Sequence, residues 1–179
     1  MPRDRRPAPV TAALEFFCPG LPKAKGSPDI LRNRRTGRPF VREKRPVVAW
    51  GHTVAAAARA SVRERAGAFE RLEGPVSVLI LFDMPRKKTA PKRTDRCAEL
   101  AAVKPDLDKL IRAVLDGLSL SGVVYRDDAQ VVEVYAVKQV LPAAGGVSGV
   151  RVIVEAYTDP EQQRSREHAP TLSLVADPR

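Results

Sequence analysis

The chain has 179 residues and a formal charge of +10, with 31 Lys and Arg against 21 Asp and Glu and a pI near 10.1. That length holds one domain with a hydrophobic core and is short for two, and the positive balance either points to a polyanionic partner, nucleic acid first, or simply keeps the protein in solution. No apolar run nears the roughly 20 residues of a membrane span, no signal-peptide core opens the chain, and Cys18 and Cys97 lack metal-type spacing, so they read as reduced thiols of a cytoplasmic protein.

Taken in order, residues 1–12 are rich in proline and arginine without apolar periodicity, and read as a disordered basic arm. Leu14-Glu15-Phe16-Phe17-Cys18 reads as a first strand, stopped by Pro19-Gly20. A basic loop carrying Lys23 and Lys25 follows, and Arg32, Arg34, Arg35 and Arg38 continue its charge to Phe40-Val41, a short hairpin strand. A run this dense is either solvated or set against phosphate. Residues 46–66 read as a helix with Val47, Trp50, Val54, Ala57 and Ala58 as its packing stripe and Trp50 in the core. His52 has no partner histidine and reads as a surface or cap residue. The scattered aromatics make no base-stacking platform.

Residues 76–82, strongly apolar and preceded by Glu73-Gly74-Pro75, read as a central strand. A long basic loop follows with Arg86, Lys87, Lys88, Lys92 and Arg93, and loops of this length are usually functional or disordered. It leads directly into an acidic stretch, so a polyanion held by the loop would lie beside carboxylates. Leu107, Leu110, Ile111, Val114, Leu115 and Leu118 recur at helical spacing, with Asp108, Arg112 and Asp116 opposite them. Pro105 suits a helix start and Asp106 or Asp108 its N-cap. Beyond Gly122 come Tyr125, then Asp127-Asp128, then a half-buried strand in which Val132, Val134 and Ala136 alternate with Glu133, Tyr135 and Val137, ending at Lys138. Residues 150–157 read as the last strand and the tail from 159 to 179 as disordered. There is no internal repeat and no second domain.

Asp106, Asp108, Asp127 and Asp128 are hard oxygen donors with no histidine or cysteine cluster nearby, which suits Mg²⁺ or Mn²⁺ and not zinc. A basic surface around an acidic centre fits phosphodiester chemistry: cations dock the backbone, and carboxylates hold the metal that activates water. Lys104 and Arg112 can neutralise phosphate charge or orient the carboxylates. The same residues also admit a purely structural reading, with Asp106 a cap, Asp108 paired to Arg112, and Asp127-Asp128 a turn. Calcium binding fails, because an EF-hand loop counted from Asp106 would need glycine where Ile111 stands and glutamate where Gly117 stands. An aspartyl-phosphate hydrolase also fits poorly, since no apolar strand precedes the Asp-Leu-Asp triplet.

Lys104-Pro105-Asp106-Leu107-Asp108-Lys109-Leu110, Leu115-Asp116-Gly117-Leu118, Asp127-Asp128-Ala129-Gln130-Val131 and Lys138 together resemble the RusA family of Holliday junction resolvases. The resemblance extends to residues 20–26 and to Met84-Pro85-Arg86-Lys87, and covers roughly residues 14–157. It implies a small homodimeric α+β endonuclease occupying residues 13–158, with a mixed or antiparallel sheet packed on about two helices. It also implies Mg²⁺-dependent resolution of four-way DNA junctions; the lack of a long apolar run speaks against a membrane partner. Asp106, Asp108 and Asp128 match the family's essential carboxylates, with Asp127 beside them. Lys104 and Arg112 join the catalytic set, and Lys23, Lys25, Arg86, Lys87, Lys88, Lys92, Arg93 and Lys138 are the expected DNA contacts. Three positions depart from the family pattern. Arg112 stands where a lysine is common and cannot readily shuttle a proton. Lys109 replaces a frequent asparagine, and Gly26-Ser27-Pro28 replaces an arginine-proline-arginine pattern.

Overall fold

The computed structural model describes residues 14–27, 29–42, 44–65, 67–86, 99–142 and 145–159. The expected arm at residues 1–12, Lys87, Lys88, Lys92, Arg93, Cys97 and the tail beyond residue 159 lie outside them. In chain order the elements are β1 (Leu14–Pro19), β2 (Asp29–Arg32), β3 (Pro39–Arg42), α1 (Arg45–Glu64), β4 (Val76–Met84), β5 (Glu99–Leu100), α2 (Leu107–Ser121), a 3₁₀ turn (Asp128–Gln130), β6 (Val131–Val140) and β7 (Gly149–Ala156). One sheet runs in the order β1-β7-β4-β6-β5, and β2 with β3 forms a separate two-stranded ribbon. Among the described strands of this sheet, β4 and β6 are the one parallel pair. A parallel pair cannot be closed by a tight hairpin, so α2 lies in the crossover between them. Two helices on a mixed sheet make this the expected single α+β domain.

Alternation along the strands builds the core. Leu14, Phe16 and Cys18 of β1, Val76, Val78, Ile80 and Phe82 of β4, and Val150, Val152 and Val154 of β7 are buried against the helices. Trp50, Val54, Ala55 and Ala58 meet them from α1, and Leu110, Ala113, Val114 and Leu118 from α2. Ala55 joins the expected stripe, while His52 is exposed. Arg59 of α1 donates to the carbonyls of Leu120 (2.7 Å) and Ser121 (2.9 Å), supplying donors for groups that a helix end leaves unpaired. Gly122, at φ 68°, then ends α2 in the left-handed conformation. Burial pushes the Cys18 thiol up to about 11, so it is an inert core residue at neutral pH.

β6 runs two residues past Lys138 to Val140, and β2 and β5 were not anticipated. β4 is central as expected, yet among the described residues only one of its faces is covered by helix, and Leu79 on the other stays exposed.

Candidate active site

The start of α2 is held in place from β6. Ala101 N donates to the Lys138 carbonyl at 2.9 Å, and the Lys138 ammonium donates to the carbonyls of Val103 and, at 2.6 Å, Pro105. Lys138, expected among the DNA contacts, is thus committed to the backbone that presents Asp106. Asp106 occupies the N-cap position, but its side chain caps nothing. It accepts instead from Lys109 Nζ at 2.7 Å. That hydrogen bond, with the charges of Lys109, Lys104 and Lys138, holds the Asp106 carboxyl below the usual carboxylate range. Asp108 and Arg112 are exposed one turn apart, and among the described residues they form no ion pair with each other or with anything else. Lys104 is likewise exposed.

The first basic loop is docked, not loose. Lys25 N donates to the Lys109 carbonyl at 2.8 Å, its ammonium stands 2.7 Å from Asp116 Oδ2, and Pro22 is buried. At Gly117 a Cβ would lie 2.8 Å from Val54 Cβ and 3.1 Å from the Gly51 carbonyl. The Asp116-Gly117 pair is therefore architectural. One residue holds the loop and the other lets α1 approach α2. Lys23 is half-buried in that loop, and Arg86 is half-buried just past β4.

Asp127 and Asp128 lie at the far end of β6. Asp127 Oδ1 accepts from Ala129 N at 2.8 Å, and Gln130 Oε1 accepts from Arg126 N (2.8 Å) and Asp127 N (3.1 Å), a reciprocal capping box. Gln130 Nε2 donates onward to the carbonyls of Leu72 (3.0 Å) and Gly74 (2.9 Å). Asp127 is spent on the turn that carries Asp128, as the structural reading anticipates. The Asp128 side chain is exposed, with no hydrogen-bond or ionic partner among the described residues, while its carbonyl accepts from Val131 N. The buried Tyr125 hydroxyl donates to the Leu115 carbonyl at 3.2 Å. Burial pushes its pKa up, and the charges of Asp128, Asp116 and Asp127 add to the rise. Asp128 therefore belongs with the second half of α2, and Asp106 with its first turn.

The two carboxylate groups are consequently apart. The Asp128 turn opens into Val131, whereas Asp106 is tied to Lys138. At about 3.3 Å per residue those ends of β6 are separated by roughly 23 Å. Among the described residues no three Asp, Glu, His or Cys side chains converge to hold a metal ion. One chain does not unite Asp106 and Asp108 with Asp128. The donor chemistry still fits a hard divalent cation, since Asp108 and Asp128 are exposed carboxylates left unengaged and no imidazole or thiolate stands with them. Sequence reasoning missed the buttressing roles of Gln130 and Lys138. The Asp-x-x-Gln spacing was a readable signal for the first; nothing local announced the second.

A basic chain whose mixed sheet and helix start present carboxylates beside exposed cations defines a single-domain protein equipped to handle a polyanion. The family model described as Endodeoxyribonuclease RusA matches residues 19–155, most of the chain, and the chain belongs to that family. Members are nucleases that resolve Holliday junctions and are generally metal-dependent. Among curated proteins none matches the chain. No helix among the described residues is long and apolar enough to cross a membrane.

Proposed function

We propose that this chain is a structure-selective endodeoxyribonuclease that resolves four-way junctions by paired, Mg²⁺-dependent phosphodiester hydrolysis, acting as a two-fold homodimer. The observation that carries this reading is the match over residues 19–155 to the RusA endodeoxyribonuclease family; by the sequence resemblance, Asp106, Asp108 and Asp128 are the carboxylates that would form its site. These three would hold the cation, which supplies Lewis-acid stabilisation of phosphoryl charge and an activated water. Lys104 and Arg112, exposed at the same end of α2, would neutralise the phosphate. The test is a panel of four-way junction, fork, flap and linear duplex with Mg²⁺. Symmetric paired nicks in the junction are expected. Binding without cutting would return the chain to a non-catalytic DNA-binding reading, and preferred cutting of flaps or forks would reassign the substrate.

The distance between the carboxylate groups supports the dimer. β5 covers only residues 139–140 of the outer edge of β6, leaving 131–137 without a strand partner there among the described residues. Val132, Val134 and Tyr135 on this stretch are 57%, 38% and 65% exposed. Open apolar strand edges invite pairing, and two-fold pairs are the commonest oligomers. Antiparallel pairing of this edge with its own copy, about an axis near Val134, sets residue 131 of one chain opposite 137 of the other. Asp128 of one copy then approaches the end of β6 where Lys138 holds the Asp106 segment of its mate. Light scattering at micromolar concentration should give twice the 19.6 kDa chain mass. Val134→Asp with Tyr135→Asp should give a monomer that no longer cuts. A wild-type monomer, unchanged on junction DNA, would defeat this assembly.

A further inference from the structure

We propose that the β2–β3 ribbon is a second DNA-contacting element, lying along one duplex arm of the junction away from the scissile phosphate; this rests on the endonuclease reading above. Among the described residues the two strands pair only with each other. Their turn is preorganised. Asn33 Oδ1 accepts from Arg35 N (2.9 Å) and Thr36 N (3.2 Å), Gly37 N donates to the Asn33 carbonyl (2.8 Å), and Gly37 takes φ +70°, which other residues rarely adopt. Arg32, Arg34, Arg35, Arg38 and Arg42 stand on this unit against the single carboxylate of Asp29. Only Arg42 is paired, 3.9 Å from Asp29; among the described residues the other four guanidiniums are exposed and without ionic partners.

The faces of the ribbon carry the rest. Directly opposed residues share a face, so Ile30 and Val41, 75% and 65% exposed, sit together beside Arg32. A two-stranded hairpin is marginal alone in water, and an outward apolar pair adds nothing to its stability there. A flat apolar centre fringed by guanidiniums is complementary to duplex DNA. The major groove admits a two-stranded ribbon, its rims are phosphate, and thymine methyls on its floor take apolar contact. The ribbon also starts in the right place. Lys25, four residues before Asp29, is bonded to Lys109, so the root lies at the end of α2 that carries Asp106 and Asp108. With about 3.3 Å per extended residue, the length of chain lets the tip arginines stand up to about 25 Å from those carboxylates. That is roughly seven base pairs along an arm at 3.4 Å each.

The test replaces Arg32, Arg34, Arg35 and Arg38 together with glutamine and follows junction binding through a salt titration. These side chains lie outside the core, so the melting temperature should not move. On long-armed junctions the slope of log affinity against log salt should fall by about 3.6, near 0.9 for each of the four phosphates no longer neutralised. On junctions whose arms are trimmed back to the branch, variant and wild type should bind alike. Ile30→Ser with Val41→Ser removes no charge and should weaken long-arm binding at unchanged slope; unchanged affinity would overturn the groove-facing orientation. If wild type binds and cuts but the arginine variant keeps the wild-type slope, the ribbon does not touch DNA. Equal losses on trimmed and long arms would move the arginines to the branch and overturn the arm assignment. A wild type that neither binds nor cuts any junction would sink the endonuclease reading first.

Discussion

Asp106→Asn and Asp128→Asn are each expected to lose junction cleavage by about a thousandfold or more while binding the junction as tightly as the wild type. Lewis-acid stabilisation of phosphoryl charge is worth several kcal/mol, and about 1.36 kcal/mol is tenfold in rate. Both side chains are exposed, so neither change should cost the fold much, and a thermal melt alongside the assay checks this. Docking should survive because an unmetallated carboxylate repels phosphate. Parallel gel-shift and cleavage assays decide the matter, and a variant that cuts at the wild-type rate removes its residue from the site. Mixing the two inactive proteins then separates two geometries. If Asp106 of one chain works with Asp128 of the other, a mixed dimer holds one site with both defects and one intact, and nicking of a single strand returns. If each site lay within one chain, both sites of every mixed dimer would be defective, and the mixture would stay inactive.

Gly117→Ala should destabilise the domain, against the expectation from helix propensity. Alanine in a helix interior is favoured over glycine by about 0.8–1.0 kcal/mol. Opposing that, the new Cβ would stand 2.8 Å from Val54 Cβ, which is fixed to the α1 backbone and cannot swing aside, with the Gly51 carbonyl at 3.1 Å behind it. Overpacking of a tight core costs about 1–3 kcal/mol, so the balance is a loss of about 0–2 kcal/mol, centred near 1, with a drop of about 2–4 °C in melting temperature for each kcal/mol. Gly117→Leu has no space for its branches and should lose several kcal/mol, much of the stability of an ordinary domain. Calorimetry on the purified variants measures both. A higher melting temperature for Gly117→Ala would mean that the helices are not in tight contact there.

Much of this protein was legible locally. The apolar alternation of β1, β4 and β7, the periodicity of α2 and the burial of Trp50 follow from side-chain repeats of two and 3.6 residues, which each segment carries by itself. The motif from Lys104 to Val131 was likewise sufficient for the family. Other features depend on partners distant in sequence. β5 has two residues and exists only because the end of β6 offers it an edge. β2 reads as charged loop until β3 folds back on it. Lys138 and Lys25, counted in the sequence as cations for DNA, are drawn to the carbonyls of residues 103 and 105 and to Asp116, because the tertiary fold brings those groups within hydrogen-bond reach. Donor chemistry and the family resemblance grouped Asp106, Asp108 and Asp128 as one metal site, yet an extended strand advances about 3.3 Å per residue. Asp128 precedes the start of β6 and Asp106 is tied through Pro105 to Lys138 near its end, so the two are set at opposite ends of that strand. Sequence alone determined which carboxylates are present; only the tertiary structure decided that a single chain keeps them apart.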